Sequence, residues 1–369
     1  MQYLGFGNGS DGSATPSGTD APIDSSAVGT AASTSLTATN ASFASDKIIF
    51  IHQTRGSGAG SWELNIIDSY STGTITTLFD LANTYSSTGS NKAQVIQVPE
   101  YTDVTVSGTL TAKAWDGSVG GIIVFMANGK VTVSGSITAA GKGFIAAGGQ
   151  GDDGDAGEGT AGAGVANQVT QNGSGAGGGK RGPDGGHVEG GHGGGGGNST
   201  DGESALYRNT AQGGQGGASS GSSDLSTMTF GGAGGTGGAS NSGAQSGRAA
   251  GRGGGIIAIF CSTLEVSGSM SVNGDAGTSS NDAGGAGGGG AAGSIYVQCV
   301  SAVLGSGLLT ALGGAGGSCT GPFAGGAGSG STGRIGVFAC SISGTTNPTN
   351  SGTEGDHEWC QTFFHVGSH

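Results

Sequence analysis

Positive charge is what this sequence has least of. Lys and Arg number 12 against 25 Asp and Glu, a formal net charge of -13 over 369 residues. Binding a duplex or a phosphate backbone relies on clustered cations that release counterions, so nucleic acid is excluded as a partner. The one notable cationic pairing, Lys180-Arg181, reads as a solvated loop. Proline is scarce, with 6 residues, and the Gly-X-Y pattern rich in proline that marks collagen is absent. Aromatics make up 6% of the chain and hydrophobic residues together 33%, too little for a large ordinary apolar core. Order then has to come mainly from main-chain hydrogen bonding. Met1 to Phe6 has no basic segment and no long apolar run, so neither a secretory signal nor a membrane-spanning helix is expected. The cysteines are Cys261, Cys299, Cys319, Cys340 and Cys360, an odd number without a C-x-x-C pair, which excludes a complete disulfide framework within one chain.

Glycine is what the sequence has in quantity, with 87 residues, concentrated between about 141 and 333. Residues 231–239 form three uninterrupted Gly-Gly-X triplets, and shorter pieces of the pattern stand at 213–217, 284–288, 313–317 and 325–327. A period of three fits neither helix nor strand, but it matches the extended left-handed helix with three residues per turn. That helix has no internal hydrogen bonds, so its N–H and C=O groups need partners on neighbouring chains, and only glycine lets main chains approach closely enough. Glycines are expected to face other helices and X residues to face outward. A flexible Gly/Ser linker is the ordinary alternative, but linkers lack strict phase and are not interrupted by recurring hydrophobic strands.

Along the chain, residues 1–46 are a Ser/Thr/Ala/Gly tract, read as a loosely packed attachment arm. Hydrophobic alternation at 48–51, 62–66 and 74–78 predicts a small β domain over 47–103. From Val104 a longer repeat of the form Ser-Gly-X-apolar-Thr/Ser recurs at Ser107–Thr111, Ser134–Thr138, Ser267–Ser271 and Ser306–Thr310, with a worn copy from Ser343. Most copies follow an apolar strand, such as Ile122–Phe125, Ile256–Phe260, Ile295–Val297 and Ile335–Phe338. A unit of this kind cannot bury its apolar face alone, and stacking the units gives a β-solenoid. Cys261 and Cys299 occupy the same place in successive units, so stacked rungs about 4.8 Å apart would make them neighbours, read as free buried thiols. The expectation is an all-β chain in which β-solenoid or β-sandwich strands combine with a polyglycine-II helix bundle over 104–345, with little or no α-helix and a C-terminal docking tail at 346–369.

These features bring a resemblance into view. Several runs of polyglycine triplets, separated by polar and aromatic excursions and carried on a β-rich N-terminal part, resemble the receptor-binding adhesins at the tips of long tail fibres in T-even-like bacteriophages. The opening Leu4–Gly12 and the Val-Ser-Gly-X-Leu/Ile-Thr strands also look like glycine-rich phage tail-fibre and bacterial surface proteins. The resemblance implies a virion location, extracellular after lysis, and loops that touch a bacterial surface polysaccharide or outer-membrane protein. Other fibre or virion proteins would be engaged through the N- or C-terminal segment, and homo-oligomerisation is compatible with the sequence. Contact residues would lie in the breaks between glycine runs, at 167–172, 187–192, 207–209, 224–230 and 319–323, because loop tips present bulky and polar side chains. The residues singled out are His187, Glu189, His192, Tyr207, Arg208, Asn209, Leu225, Phe230 and Phe323. Phe230 and Phe323 read equally well as caps on the ends of the glycine bundle.

Signals for chemistry are weak. His187, Glu189 and His192 offer imidazole and carboxylate, yet their spacing matches no familiar zinc pattern. Residues 148–153 fit the start of a calcium nonapeptide, but the run occurs once and Asp155 stands where an apolar residue belongs. His357, Glu358 and Cys360 sit beside Trp359, Phe363 and Phe364, which reads better as a docking segment. No nucleophile and base pair is identifiable, and carboxylates such as Asp152, Asp153 and Asp155 lie in turns rather than paired on a solenoid face. The chain is therefore read as non-enzymatic, without metal or cofactor. A structural subunit of an extracellular filament or matrix is the alternative class. An ice-binding polyglycine protein should show a regular face of Thr or Ala, and the X residues are mixed.

Overall fold

A computed structural model describes residues 5–40, 42–148, 151–182, 189–206, 211–241, 245–319, 325–355, 357 and 359–360. Among these the regular elements are all strands. The first hundred residues give β1 (Gly18–Thr19), β2 (Asp24–Gly29), β3 (Ser35–Ala38), β4 (Ile48–Arg55), β5 (Trp62–Ser71), β6 (Thr74–Thr77) and β7 (Lys92–Gln97). The rest are β8 (Glu100–Tyr101), β9 (Val104–Val106), β10 (Thr109–Thr111), β11 (Ile122–Val133), β12 (Ser136–Thr138), β13 (Ile256–Val266), β14 (Ser269–Ser271), β15 (Ser294–Thr310) and β16 (Arg334–Asn347).

Six strands close an antiparallel barrel in the order β2-β3-β6-β5-β4-β7. Alternation along β4 sends Ile49 and Ile51 into the barrel with Leu36, Ile67, Ile75 and Val95, and sends Phe50 outward against Trp62, Leu64 and Ile96. That outer face is covered too, so β4 is buried along its whole length. Residues 18–38 belong to the stretch read as an arm, yet they supply β1, β2 and β3. The alternation there is hard to see because most of its inward residues are small: Ala27 and Ala38 are buried beside Leu36.

The other strands form a curled parallel sheet in which each repeat stacks on the next. Leu110 pairs with Ile137, Ile137 with Met270, Met270 with Leu309 and Leu309 with Thr346, so all five copies of the Ser-Gly repeat are in register. The longer strands align likewise through Ile123, Ile257, Ile295 and Ile335, and place Cys261 opposite Cys299. Like residues form ladders over a core of Ile, Val, Leu, Ala and Met side chains from both limbs of each unit. Cys261 and Cys299 are buried free thiols, and burial, with the neighbouring Cys299 thiol, pushes Cys261 up. Cys340 and Cys360 form a disulfide with Cα atoms 5.9 Å apart.

The glycine-rich runs between these strands lie side by side and bond to one another. Gly231, Gly234 and Gly237 donate to the carbonyls of Gly254, Gly251 and Arg248; Gly232, Gly235 and Gly238 donate to Gly197, Gly194 and Gly191; Ala233, Thr236 and Ala239 donate to Glu158, Asp155 and Asp152. Each third residue thus addresses the same neighbouring run, and the three runs that accept these bonds are antiparallel to it, whereas 176–182, which donates to Ala233, Thr236 and Ala239, is parallel. The 190–198 run has six partners, exchanging bonds with residues of 283–289, 174–180, 203, 214–220, 232–238 and 328–331. Such packing has no outside for a central run. The X residues of 231–239, expected to face outward, are buried: Ala233, Thr236 and Ala239 are each 0% exposed, and Thr236 Oγ1 accepts a 2.7 Å bond from the Asp155 N–H. A side chain fits only if it is small or bonds the next run.

Candidate functional site

Successive runs alternate in direction, which gives the bundle two unlike ends. At the strand end the chain passes into β13, β15 and β16, and the barrel is seated there. Arg55 of β4 pairs with Glu158, whose carboxylate also accepts from Trp115 Nε1 at 3.1 Å and from the Ile145 N–H at 2.8 Å. With side chains 7% and 3% exposed, the pair ties barrel, sheet and bundle together in a setting where losing either partner strands a charge. His52 Nε2 bonds the Met228 carbonyl at 2.7 Å, and its Nδ1 bonds Thr54 Oγ1 at 2.9 Å. Burial pushes the His52 imidazole down to about 4, so the neutral ring donates through Nε2 and accepts at Nδ1.

Two of the singled-out residues belong to this end. Phe230 is 0% exposed and packs among His52, Trp115 and Phe144, with ring centroids 6.0, 5.7 and 5.4 Å away. Leu225 is 0% exposed, adopts a left-handed φ of 57° and accepts Trp62 Nε1 at its carbonyl at 2.9 Å. Leu225 was expected on a loop tip, and Phe230 either there or as a cap on an end of the bundle; both are buried packing residues. A wedge between two sheets and a glycine bundle needs bulk that glycine cannot supply, and residues 224–230 supply it. Asn167 to Asn172 lie on the flank of the bundle, where the Gln168 carbonyl accepts from Gly178 and that of Val169 from Gln215.

The opposite, loop end gathers the other breaks. Gly182 donates to Ala239, Gly190 to Ala283, Lys180 to Gln212, Ser240 to Gln245 and Cys319 to Gly325. Residues 180–182, 190, 212, 239–240, 245, 280–283, 319 and 325 therefore lie together on one face. His187, Tyr207, Arg208, Asn209 and Phe323 lie outside the described residues. Glu189 is half-buried there. His192 is 0% exposed, one layer inside; its Nδ1 accepts the Ala286 N–H at 3.1 Å and lies 3.8 Å from Cys319 Sγ. A Cβ on Gly325 would stand 2.9 Å from His192 Nε2, so the glycine leaves room for the ring. His192, expected as a surface contact, is an internal hydrogen-bonding residue because its X position faces another run.

Charge concentrates at the loop end. Lys180 pairs with Asp153 at 2.6 Å, Arg181 with Asp152 at 3.4 Å, and Arg248 with Asp282. Burial would raise the Asp282 carboxyl, but the Gly284 N–H, the Ser280 hydroxyl and Arg248 hold it below the usual carboxylate range. Two open hollows lie between the runs. One, of about 480 Å³, is lined by Arg248, Thr278, Ser279, Ser280, Asn281 and Ser318; the other, of about 380 Å³, by Asp152, Asp153, Asn167 and Arg181. Arg248 and Asp282 were not singled out by the sequence, although charged residues bordering glycine runs are conspicuous in a chain with only 10% charged residues. Among the described residues no group of three His, Cys, Asp or Glu side chains stands close enough to hold a metal. The arrangement suits polar surface contact, with paired charges and hydroxyls on rigid edges. Comparison with known proteins adds no relative: no family model matches the chain, and no curated protein or solved structure is significantly similar to it.

Proposed function

We propose that this chain is a non-enzymatic virion fibre protein or adhesin that holds a bacterial surface receptor with the loop end of its glycine bundle. In this reading the runs are polyglycine-II helices and the stacked repeats a short β-solenoid. The three-residue period of donors in 231–239 supports the first, as does the absence of positive φ from the glycines of that run. The observation that carries the functional reading is segregation. Both sheets and the bulky packing residues lie at one end, and the described residues at which the runs turn at the other, among them 180–182, 239–240 and 280–283, gather paired charges and hydroxyls. A scaffold fixed by main-chain bonding tolerates exchange of the segments it displays, and many weak contacts suffice when several copies engage together.

The test is adsorption of particles that carry the chain. Exchanging segments 183–188 and 207–210 for unrelated sequences of equal length is expected to change which cells are bound, with the thermal midpoint of the isolated chain unchanged. Exchange of flank residues 168–171 is the control and should leave adsorption intact. Unaltered adsorption after both loop exchanges would remove the adhesin reading and leave a structural subunit of an extracellular filament in its place.

A further inference from the structure

A third recess lies at the strand end, on the barrel rather than on the bundle's loops. It has a volume of about 410 Å³ and is lined by Glu63, Leu64, Asn65, Phe79, Asp80 and Asn83, among others, with Ser226 of the bundle forming one wall. Its origin is a gap in the barrel's hydrogen bonding. Ile67 donates to Lys47 and Gln53 to Ser61, so in the β4–β5 register it is Glu63 and Asn65 that face β4. Ile66 faces the other way and accepts from the Leu78 N–H at 2.9 Å. Leu64, two residues earlier, points its N–H and C=O to that same side, beyond the last rung shared with β6. Among the described residues neither a strand pairing on that side nor a turn or side-chain bond engages them.

Side chains hold the opposite wall away. Asn65 Nδ2 donates to the Phe79 carbonyl at 2.9 Å and its Oδ1 accepts the Phe79 N–H at 3.3 Å. Glu63 accepts the Ala82 and Asn83 N–H groups at 2.8 and 3.3 Å. Loop 79–83 is thus propped one side-chain length from β5, and the space between ends in an adjacent main-chain donor and acceptor. An orphaned pair of this kind is costly where water is excluded and is the usual anchor of a bound polar group.

We propose that this recess binds a neutral pyranose unit of a glycan. A sugar hydroxyl both donates and accepts, so neighbouring hydroxyls satisfy the Leu64 N–H and C=O together. The exposed Asp80 carboxylate and the Asn83 amide extend the polar side, and the half-buried Phe79 ring offers an apolar flank to the C–H face of the sugar. Carboxylates and no cationic side chain line the recess, which selects against acidic sugars and phosphates. The site is independent of the loop end and stands or falls separately from the adhesin reading.

The experiment is an amide NMR titration of the full chain with methyl α-D-glucopyranoside, methyl α-D-galactopyranoside and N-acetyl-D-glucosamine. At least one is expected to shift the Leu64, Phe79 and Asn83 amides saturably at millimolar concentration. Phe79→Ala and Asp80→Ala, at positions that are not buried, should each weaken that binding about tenfold, the equivalent of one good contact, without lowering the thermal midpoint. The proposal is overturned if none of the three sugars moves the Leu64 amide saturably, or if Phe79→Ala titrates as the parent chain does.

Discussion

Replacing Gly235 by alanine tests the physical basis of the bundle with the smallest available change. A Cβ built on Gly235 stands 1.9 Å from the Gly177 carbonyl oxygen and 2.4 Å from its carbon, both main-chain atoms. Carbon and oxygen that are not bonded sit comfortably only beyond about 3.3 Å, so the two runs have to separate by more than an ångström. The bonds at that interface, from Ala176, Gly179 and Gly182 to the carbonyls of Ala233, Thr236 and Ala239, are 2.8–3.0 Å long. Losing two of them, with buried donors left unmade, costs about 4–5 kcal/mol. The stiffer unfolded chain that alanine brings offsets about 0.4–1 kcal/mol, leaving about 4 kcal/mol. With an unfolding entropy of roughly 2 cal/mol/K per residue, that lowers the midpoint by about 5 °C if the chain melts as one unit. Gly326→Ala is the matched control, because a Cβ there meets nothing within 4 Å. Calorimetry of the two variants, with amide exchange across 231–239, decides the matter. Equal midpoints, or exchange at unfolded rates in the parent chain, would refute the claim that close main-chain approach holds the bundle together.

Two further predictions concern the strand end. Arg55→Met leaves Glu158 buried without its cation and is expected to cost about 3–5 kcal/mol, while adding Glu158→Gln should recover much of the loss; urea unfolding of the single and double variants measures the coupling, and additive losses would contradict it. Acid sensitivity should trace to His52, held near 4 in the fold against an ordinary 6.5: the unfolded chain binds the extra proton between those values, so this group's contribution falls by about 3 kcal/mol as pH drops through that window and levels off below it. Asp20 acts in the opposite sense, because burial pushes its carboxyl up to about 6 from 3.8 and the fold holds the proton there; Asp20→Asn should therefore steepen the loss of stability between pH 6.5 and 4, and a variant flat across that range would rule His52 out as the cause.

What could be read from the sequence depended on how each part is stabilised. Parallel stacking puts like on like, so the Ser-Gly repeat and the apolar strands appear as similarity along the chain. Ser136 bonds Ser269 side chain to side chain at 3.1 Å across the whole glycine-rich insertion, and Cys261 meets Cys299 in the next rung. The barrel was half legible, because β4 and β5 alternate large apolar residues whereas β2 and β3 bury mainly Ala27, Leu36 and Ala38. Period three in the glycine runs was visible, but not which run neighbours which. A run with bonding groups on every side and hardly any side chains carries no mark of its partners. For the same reason the outward X residues were misread. In a bundle six neighbours deep, Ala233 and Thr236 have no outside to face.

In the sequence Leu225 and Phe230 look the same as residues displayed on a loop tip, because bulk does not say at which end of the bundle a break lies. Direction does. Chain 174–182 leads toward the loop end, 190–198 returns, 211–218 returns again after the short 202–206 segment, and 231–239 goes out once more, as their antiparallel bonding requires. The turning points therefore alternate: described residues 182 and 190, 205 and 212, 240 and 245, 281–283, and 319 and 325 stand at the loop end, and 199–201 and 219–230 at the strand end. Leu225 and Phe230 follow a returning run, so they had to land against the barrel, and there burial rather than contact governs which residues are tolerated. Arg248 and Asp282 border outward breaks and so reach the loop surface, although neither is large or aromatic. Counting reversals from the point where a strand hands over to the first glycine run assigns each break to the loop end or the strand end by chain direction alone. Composition enters only afterwards, to rank residues within the breaks that parity has assigned to the loop end.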